Sequence, residues 1–405
     1  MQFIRSRFAD LTVDIPPMYW FLWWGTLINR LGSFVVPFLA LYLTSQRGIS
    51  VSGAAFVVSL FGAGSFLAQL VGGELSDRFG RRPVMLMSLF VTPVVMATLG
   101  FAQALSLIAV CTFLVGFFSD LYRPASSAII TDIVPSSART RAFGYLYWAV
   151  NLGFAFAPIL AGLMANYNYL LLFIGDALTT MVYGFLVLAR VPETRPKLEA
   201  HVEHVPLRDR VRQVRQEPIL LLFTALALFI GIIYMQGYVA LPLDMRSHGL
   251  SPADYGLAIS ANAILVVLLS IQVSNAAGKW PRFTAMAAAA LLLGAGFGYT
   301  AFAFSLPTFI LSVAIWTLGE ITVNAVAPAL IADLSPINLR GLYQGIFGSV
   351  WGLSFFIGPL LGGWVYESFG PFVLWSACFV LGSLVAVSYL GMARSARKQV
   401  TENAK

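Results

Sequence analysis

The sequence predicts an all-α integral membrane protein whose twelve transmembrane helices form two pseudo-symmetric six-helix bundles. Three observations predict it. The first is composition: of 405 residues, 59% are apolar and 11% charged, and the mean hydropathy is +0.81. A soluble domain is roughly a quarter charged, so this chain is embedded in lipid. The second is an internal repeat. The stretch from Ser119 to Leu163 recurs from Glu320 onward at an ungapped offset of 201 residues. The offset pairs Asp132 with Asp333, Pro135 with Pro336, Arg139 with Arg340, Gly144 with Gly345 and Pro158 with Pro359. In an apolar chain, an offset near half the length is the parallel-repeat signature of two bundles with a site between them. The third is a series of twelve apolar runs, each near the roughly 20 residues that cross a bilayer.

The runs are read at 18–44, 51–75, 83–102, 104–131, 142–165, 168–190, 219–245, 251–274, 283–303, 306–333, 341–366 and 370–392. They divide the chain into an N-terminal segment 1–17, a first bundle 18–190, a linker 191–218, a second bundle 219–392 and a tail 393–405. Orientation follows from Lys and Arg. Arg47 and Arg246 fall in loops on one side, and Arg30 and Arg123 fall inside spans. The other 21 of 25 gather on the opposite side, among them Arg78, Arg81, Arg82, Arg139, Arg141 and Lys279. Cytoplasmic loops carry the basic excess, so both termini are expected in the cytoplasm. The expected setting is a bacterial-type plasma (inner) membrane. The polar lead-in and the length of the first run argue against a cleavable signal peptide.

The linker is basic, polar and punctuated by proline. A short surface helix is expected near 206–216, either touching anionic head groups at about 1 kcal/mol per basic residue or simply solvated. His201 and His204 lack accompanying ligands, and Cys111 and Cys378 lack metal or disulfide spacing. No metal and no cofactor are therefore expected.

The loop after span 2 reads Gly72-Gly73-Glu74-Leu75-Ser76-Asp77-Arg78-Phe79-Gly80-Arg81-Arg82-Pro83. It resembles the G-x-L-x-D-R-x-G-R-R/K signature of the major facilitator superfamily at Gly73, Leu75, Asp77, Arg78, Gly80, Arg81 and Arg82. The resemblance implies the major facilitator fold. It also implies a conformational latch at Gly73, Asp77, Arg78, Gly80 and Arg81 that holds the halves together on the cytoplasmic side. The residues allow this chemically. Gly73 permits close helix approach and Gly80 a tight turn, while Asp77 stands where a carboxylate can cap a neighbouring helix. The equivalent loop of the second half has Ser274 and Gly278 at the first glycine and the aspartate positions, so the latch is expected mainly from the first half. Span 5 carries Gly153-Phe154-Ala155-Phe156-Ala157-Pro158-Ile159-Leu160-Ala161-Gly162. This resembles the G-x-x-x-G-P-x-x-G-G signature of proton-coupled drug antiporters, with Ala157 and Ala161 at two glycine positions. Where that branch has an arginine in span 4, this chain has Thr112, and its arginine is Arg123. The span-10 glutamate Glu320 is also similar to that of proton-coupled peptide transporters. Thr26 and Asn29, however, stand where the two glutamates of their span-1 pattern precede Arg30.

An ionisable group at the bilayer centre costs at least ~2.5–3.5 kcal/mol, so it is expected to face a cavity and a partner. Arg30, Asp120 and Glu320 sit roughly 18 Å from the basic end at 1.5 Å rise per residue, near mid-depth. Asp120 and Arg30 are expected to pair, leaving Glu320 without a basic partner. Burial disfavours the charged form of a carboxyl group, so Glu320, with Asp120 and Asp176, is a candidate proton carrier. Alternatively, Arg30, Asp120, Arg123 and Asp176 form a structural network joining spans 1, 4 and 6. Candidate substrate contacts in the first half are Asn29, Arg30, Arg123, Tyr147 and Asn151. Those in the second are Tyr234, Gln236, Asn262, Trp316, Asn324 and Trp351. Tyr145 and Trp148 are candidates for the same aromatic pocket, which would suit flat lipophilic molecules or cations. Tyr19, Trp20 and Tyr167 read as interfacial anchors.

The sequence contains no nucleotide loop, metal-spaced cluster or nucleophile elbow, so an enzyme is not expected. The expectation is a monomeric secondary transporter, driven by a proton gradient and contacting membrane lipids, substrate and protons but no nucleic acid. Efflux of lipophilic or cationic small molecules by proton antiport is the first reading. Symport of a polar or zwitterionic nutrient such as a peptide is the second, and a non-transporting membrane sensor the third.

Overall fold

The computed structural model describes residues 14–195, 218–334 and 340–403. The surface helix expected near 206–216, His201, His204 and the first residues of the chain lie outside the described residues.

Twelve membrane-length helical spans are present among the described residues. The first span is two helices, α1 (Pro17–Leu31) and α2 (Val35–Arg47), separated at Gly32, Ser33 and Phe34. Single helices α3 (Val51–Phe79), α4 (Arg81–Phe101), α5 (Leu105–Ile133), α6 (Ser136–Tyr167) and α7 (Leu170–Arg190) complete the first half. The second half opens with another broken span. Helix α8 (Pro218–Tyr234) passes through one 3₁₀ turn at Met235–Gly237 into α9 (Ala240–Ser247). Helices α10 (Pro252–Ala277), α11 (Arg282–Tyr299), α12 (Leu306–Leu334), α13 (Arg340–Phe369) and α14 (Pro371–Asn403) follow.

Each half packs through its own helix pairs, α3 on α5 and α4 on α7 in the first, α11 on α14 and α10 on α12 in the second. The halves meet through α3 with α13, α6 with α10 and α2 with α9. Small residues let these backbones approach. A Cβ at Gly62 would strike the Phe355 backbone, and one at Gly363 would strike Ala55. These contacts belong to the arginine-poor end. Phe38 also lies edge-on to Tyr255 across the halves there, with ring centroids 5.2 Å apart.

The arginine-rich end is built differently. A Cβ at Gly73, Gly144 or Gly348 would meet no described atom within 4 Å. Tyr147 and Trp148 are 48% and 47% exposed. One buried apolar cluster runs through both halves. A second, from Ile15 to Val191, is made wholly of first-half residues and lies toward the arginine-rich end. Among the described residues, the two halves are therefore joined at the arginine-poor end and parted at the other. Large apolar side chains such as Phe101, Leu178, Ile271 and Val387 are exposed on the outer faces, the surface that lipid covers.

Candidate functional site

Two cavities lie at mid-depth. The first, of about 120 Å³, is walled mainly by the first half. Asp120 on α5 accepts from the Ser65 hydroxyl and from Arg123 Nε, the latter at 2.8 Å. The expected Asp120–Arg30 pair is not formed. Arg123 is one turn away on the same helix, so it reaches the carboxylate without crossing between helices. Arg30 instead donates from Nη2 to the Tyr122 hydroxyl at 2.9 Å and lies 5.6 Å over the Phe154 ring.

Asp176 has a different task. The break in span 1 leaves the first N–H groups of α2 without helical partners. Asp176 Oδ2 accepts from Val35 N at 3.4 Å, supplying from α7 the cap that α2 lacks locally. Nearby, Asn29 donates to Thr180 Oγ1 at 2.9 Å and ties α1 to α7.

The second cavity, of about 200 Å³, lies between the halves. Glu320 on α12 accepts from Asn262 Nδ2 at 2.6 Å and from the Tyr234 hydroxyl at 3.1 Å. Asn262 also donates to Thr317 Oγ1 at 3.0 Å, which fixes its amide. No Lys or Arg lies within 4.0 Å of Glu320 among the described residues. Aromatic rings from Tyr147, Phe154, Tyr238, Tyr255 and Trp316 form the walls. Trp316 meets Tyr234 edge-on at 5.5 Å. Pro37, Phe154 and Tyr238 line both cavities and connect them.

The structure thus gathers Asn29, Arg30, Asp120, Arg123 and Asp176 around the first cavity. Around the second it gathers Tyr147, Asn151, Tyr234, Asn262, Trp316, Glu320 and Asn324. Gln236 and Trp351 stand outside both. Gln236 Nε2 donates to Ile232 O and Gly358 O, each at 2.9 Å, and binds span 7 to span 11. Trp351 packs edge-on against Tyr234 at 5.6 Å. Tyr145 and Trp148 stack on Trp20 and Trp23 rather than lining either cavity. Tyr19, read as an interfacial anchor, is fully buried where α1 crosses α6 and donates to Ala142 O at 2.6 Å. Nearness to a span end fixes depth but not the face on which a side chain lies. Sequence reasoning missed Tyr238, Tyr255, Tyr122 and Ser65. Tyr238 follows Tyr234 by four residues, the spacing of one helix face, which was a usable signal. Ser65 had none.

At the arginine-rich end, the predicted latch loop turns at Gly80, whose φ of 102° favours glycine. Arg81 Nε pairs with Asp132 at 2.8 Å. Glu193, read in the sequence only as linker, accepts from the backbone N–H groups of Arg81, Arg82, Thr194 and Arg195. Its slight burial pushes the carboxyl up, but the four N–H groups outweigh this and hold it below the usual carboxylate range. Arg195 donates to Arg78 O at 2.9 Å. The Asp77 residue is exposed, and its carboxylate makes no hydrogen bond or ion pair to a described residue.

Twelve spans in two repeated halves, around a central cavity holding membrane-buried charges, define a secondary transporter. The Major Facilitator Superfamily profile matches residues 22–244 and 238–403, and the chain belongs to that family. It is 28% identical over 390 residues to the uncharacterised MFS-type transporter YqjV of Bacillus subtilis (strain 168), covering 94% of this chain and 93% of that one. It is 27% identical to a Na(+), Li(+), K(+)/H(+) antiporter of Planococcus maritimus, covering 84% and 89%. It is 21% identical to the multidrug resistance protein MdtH of Salmonella typhimurium, covering 86% of each chain. The crystal structure of a point mutant of the nucleoside transporter NupG superposes with a TM-score of 0.81 at 12% identity, covering 93% of this chain and 99% of that one. At that identity the likeness concerns the fold.

Proposed function

We propose that the protein exports cationic or lipophilic small molecules in exchange for protons, by alternating access between two rocking bundles. The observation that carries the reading is Glu320, a carboxylate held by two neutral donors inside a largely aromatic cavity. Such a group accepts either a proton or a cargo cation, and the surrounding ring faces favour the cation. Occupancy by one excludes the other, which is the condition for antiport. Asp120 and Asp176 are engaged by fixed partners, so the exchanged proton is assigned to Glu320. The relatives named above as antiporter and multidrug resistance protein agree with this reading.

The arginine-rich end is taken as cytoplasmic, with both termini there, in a bacterial-type plasma membrane. A cavity open to that end loads cargo from inside the cell. The loop of Gly73, Asp77, Arg78, Gly80 and Arg81 then serves as the latch that closes it. The test uses purified protein in liposomes enclosing a pH-sensitive dye, with no imposed gradient. Addition of a lipophilic amine is expected to drive protons in the opposite direction. Proton movement in the same direction as the compound would establish symport, and no proton movement would remove the coupling.

A further inference from the structure

Two further cavities lie at the arginine-poor end, away from the central site. One, of about 290 Å³, is set between the halves, with Ser45 of α2 on one side and Arg246 of α9 on the other. The next, of about 550 Å³, opens beside it on the first half and is lined by Arg47 and Gln103. Gln46, Ala165, Asn166 and Tyr169 line both, so the two form one continuous pocket. The loops of this end carry two basic residues, Arg47 and Arg246, and both are in its wall. No Asp or Glu lines it among the described residues. The carboxylates of the same end are engaged elsewhere: Asp244 with Trp375, Asp254 with Ser251 and Glu367 with Ser52 N. Arg47 donates from Nε to the Tyr42 hydroxyl at 2.8 Å and from Nη2 to Ala102 O at 2.7 Å, both neutral, and its Nη1 bonds to no described residue. Arg246 is exposed and makes no hydrogen bond or ion pair to a described residue. From this pocket an apolar groove of about 700 Å³ descends the lipid-facing surface between α4, α5 and α7. Phe101 borders both, and Ala102, whose carbonyl Arg47 holds, lines the groove. Its wall follows α4 from Phe101 to Pro93, a descent of about 12 Å at 1.5 Å per residue.

From this arrangement we propose that the pocket and groove hold one anionic phospholipid, its phosphate on Arg47 and Arg246 and one acyl chain along α4. A cationic pocket at the edge of the membrane, continued by an apolar groove into the hydrocarbon, has the charge and shape of that molecule. Guanidinium forks match phosphate oxygens, and two of them without a carboxylate repel the amine of a zwitterionic headgroup. Net negative lipids are therefore selected over neutral ones. Arg47 belongs to the first half and Arg246 to the second, so the headgroup ties the halves together where they are already joined. That end opens only after one arginine lets go. Occupancy accordingly favours the state open toward the arginine-rich end. The proposal is independent of the exchange reading and of the charge on the cargo.

The test is native mass spectrometry of the purified, delipidated protein titrated with phosphatidylglycerol and phosphatidylethanolamine of identical acyl chains. One charge-assisted fork contact is expected to make the first phosphatidylglycerol bind roughly 10-fold tighter than phosphatidylethanolamine. Arg246→Gln disturbs no bond to a described residue and should remove most of that preference while phosphatidylethanolamine binds as before. Ala97→Phe fills the groove and should weaken both lipids together. Equal affinity of the two lipids in the unmodified protein would overturn the proposal without any variant. So would a preference that survives Arg246→Gln, or displacement of phosphatidylglycerol by millimolar inorganic phosphate, which would mark a site for free anions. The tie between the halves is read from spin labels on cysteines at Ser106 and Phe304, outside the pocket. In nanodiscs, replacing phosphatidylethanolamine by phosphatidylglycerol should shift the distance distribution toward its shorter, closed component, and Arg246→Gln should abolish the shift. An unchanged distribution would overturn the link to closure.

Discussion

Glu320→Gln separates the charge of this residue from its shape. The carboxylate has two contacts, Asn262 Nδ2 at 2.6 Å and the Tyr234 hydroxyl at 3.1 Å. A glutamine can keep both. Its carbonyl accepts from Asn262, whose amide is fixed by Thr317, and its NH₂ faces the Tyr234 oxygen, which can turn its own hydrogen away. The displaced Tyr234 O–H turns into the cavity of about 200 Å³, which admits water, so stability should change by less than about 1 kcal/mol. Glu320→Ala strands both donors, but the cavity of about 200 Å³ admits water to them. The cargo contact behaves differently. Losing a hydrogen bond to a charged group costs about 1.5–3 kcal/mol, or roughly 10- to 150-fold in Kd for a cationic cargo. More decisively, a glutamine cannot carry the proton. In proteoliposomes, cargo-driven proton movement should vanish. Cargo-for-cargo counterflow at saturating concentration should continue, because it needs no net proton transfer. Proton movement at the wild-type rate in Glu320→Gln would refute the assignment.

Other expectations follow from the same contacts. Asp176→Ala should lower stability by about 0.5–2 kcal/mol through loss of the α2 cap, seen as a lower Tm in detergent. Asp176→Asn keeps an acceptor and should leave both Tm and proton flux near wild type. At the arginine-poor end, Glu367 Oε2 accepts from Ser52 N at 2.7 Å, so a carboxylate of the second half caps the start of α3 in the first. Removing it in Glu367→Ala should cost about 0.3–1 kcal/mol and shift the balance roughly 2- to 5-fold toward opening at that end. Spin-label distances between cysteines placed at Gln103 and Phe304 would report it. Glu193, held below its ordinary pKa of 4.5, strengthens the latch loop above that pH and loses this contribution as pH falls through its lowered value. Amide exchange at Arg81 and Arg82 should therefore be protected near neutral pH and accelerate relative to neighbours in strong acid.

The features legible in the sequence are those set by spacing along the chain. Span length, the 201-residue repeat and the depth of Arg30, Asp120 and Glu320 all derive from counting residues. Glu320 could be read as lacking a cation because no basic residue shares its depth in that half. Features that depend on which way a helix faces were not legible. Depth alone made Arg30 and Asp120 look like partners, whereas Arg123 is one turn from Asp120 on the same helix. Asp176 could be recognised as a buried charge, but its role depends on a break in another span, at Gly32 to Phe34, that an apolar run does not reveal. Glu193 read as linker because its partners at Arg81 and Arg82 are over a hundred residues away and are backbone atoms, which carry no sequence signature.

The two breaks have a common logic. In each half the first span is interrupted at mid-depth, and the interruption supplies residues to the cavities, Ser33 near one and Tyr238 at the other. The segments beyond the breaks, α2 and α9, are the ones that meet across the halves at the closed end. A broken span leaves such a segment free to tilt by itself, which would make it a local gate. Each is instead anchored in its own half by a buried carboxylate. Asp176 on α7 holds the start of α2, and Asp244 on α9 accepts from Trp375 Nε1 on α14 at 2.8 Å. Releasing either anchor leaves a buried polar group without its partner, at about 1–3 kcal/mol. Parting α2 from the second half breaks mainly apolar contacts such as Phe38 on Tyr255 of α10, whose surfaces water or cargo can cover. The weaker boundary is the one between the halves, so opening at this end moves each segment with its own bundle, and the breaks serve to shape the cavity rather than to act as hinges.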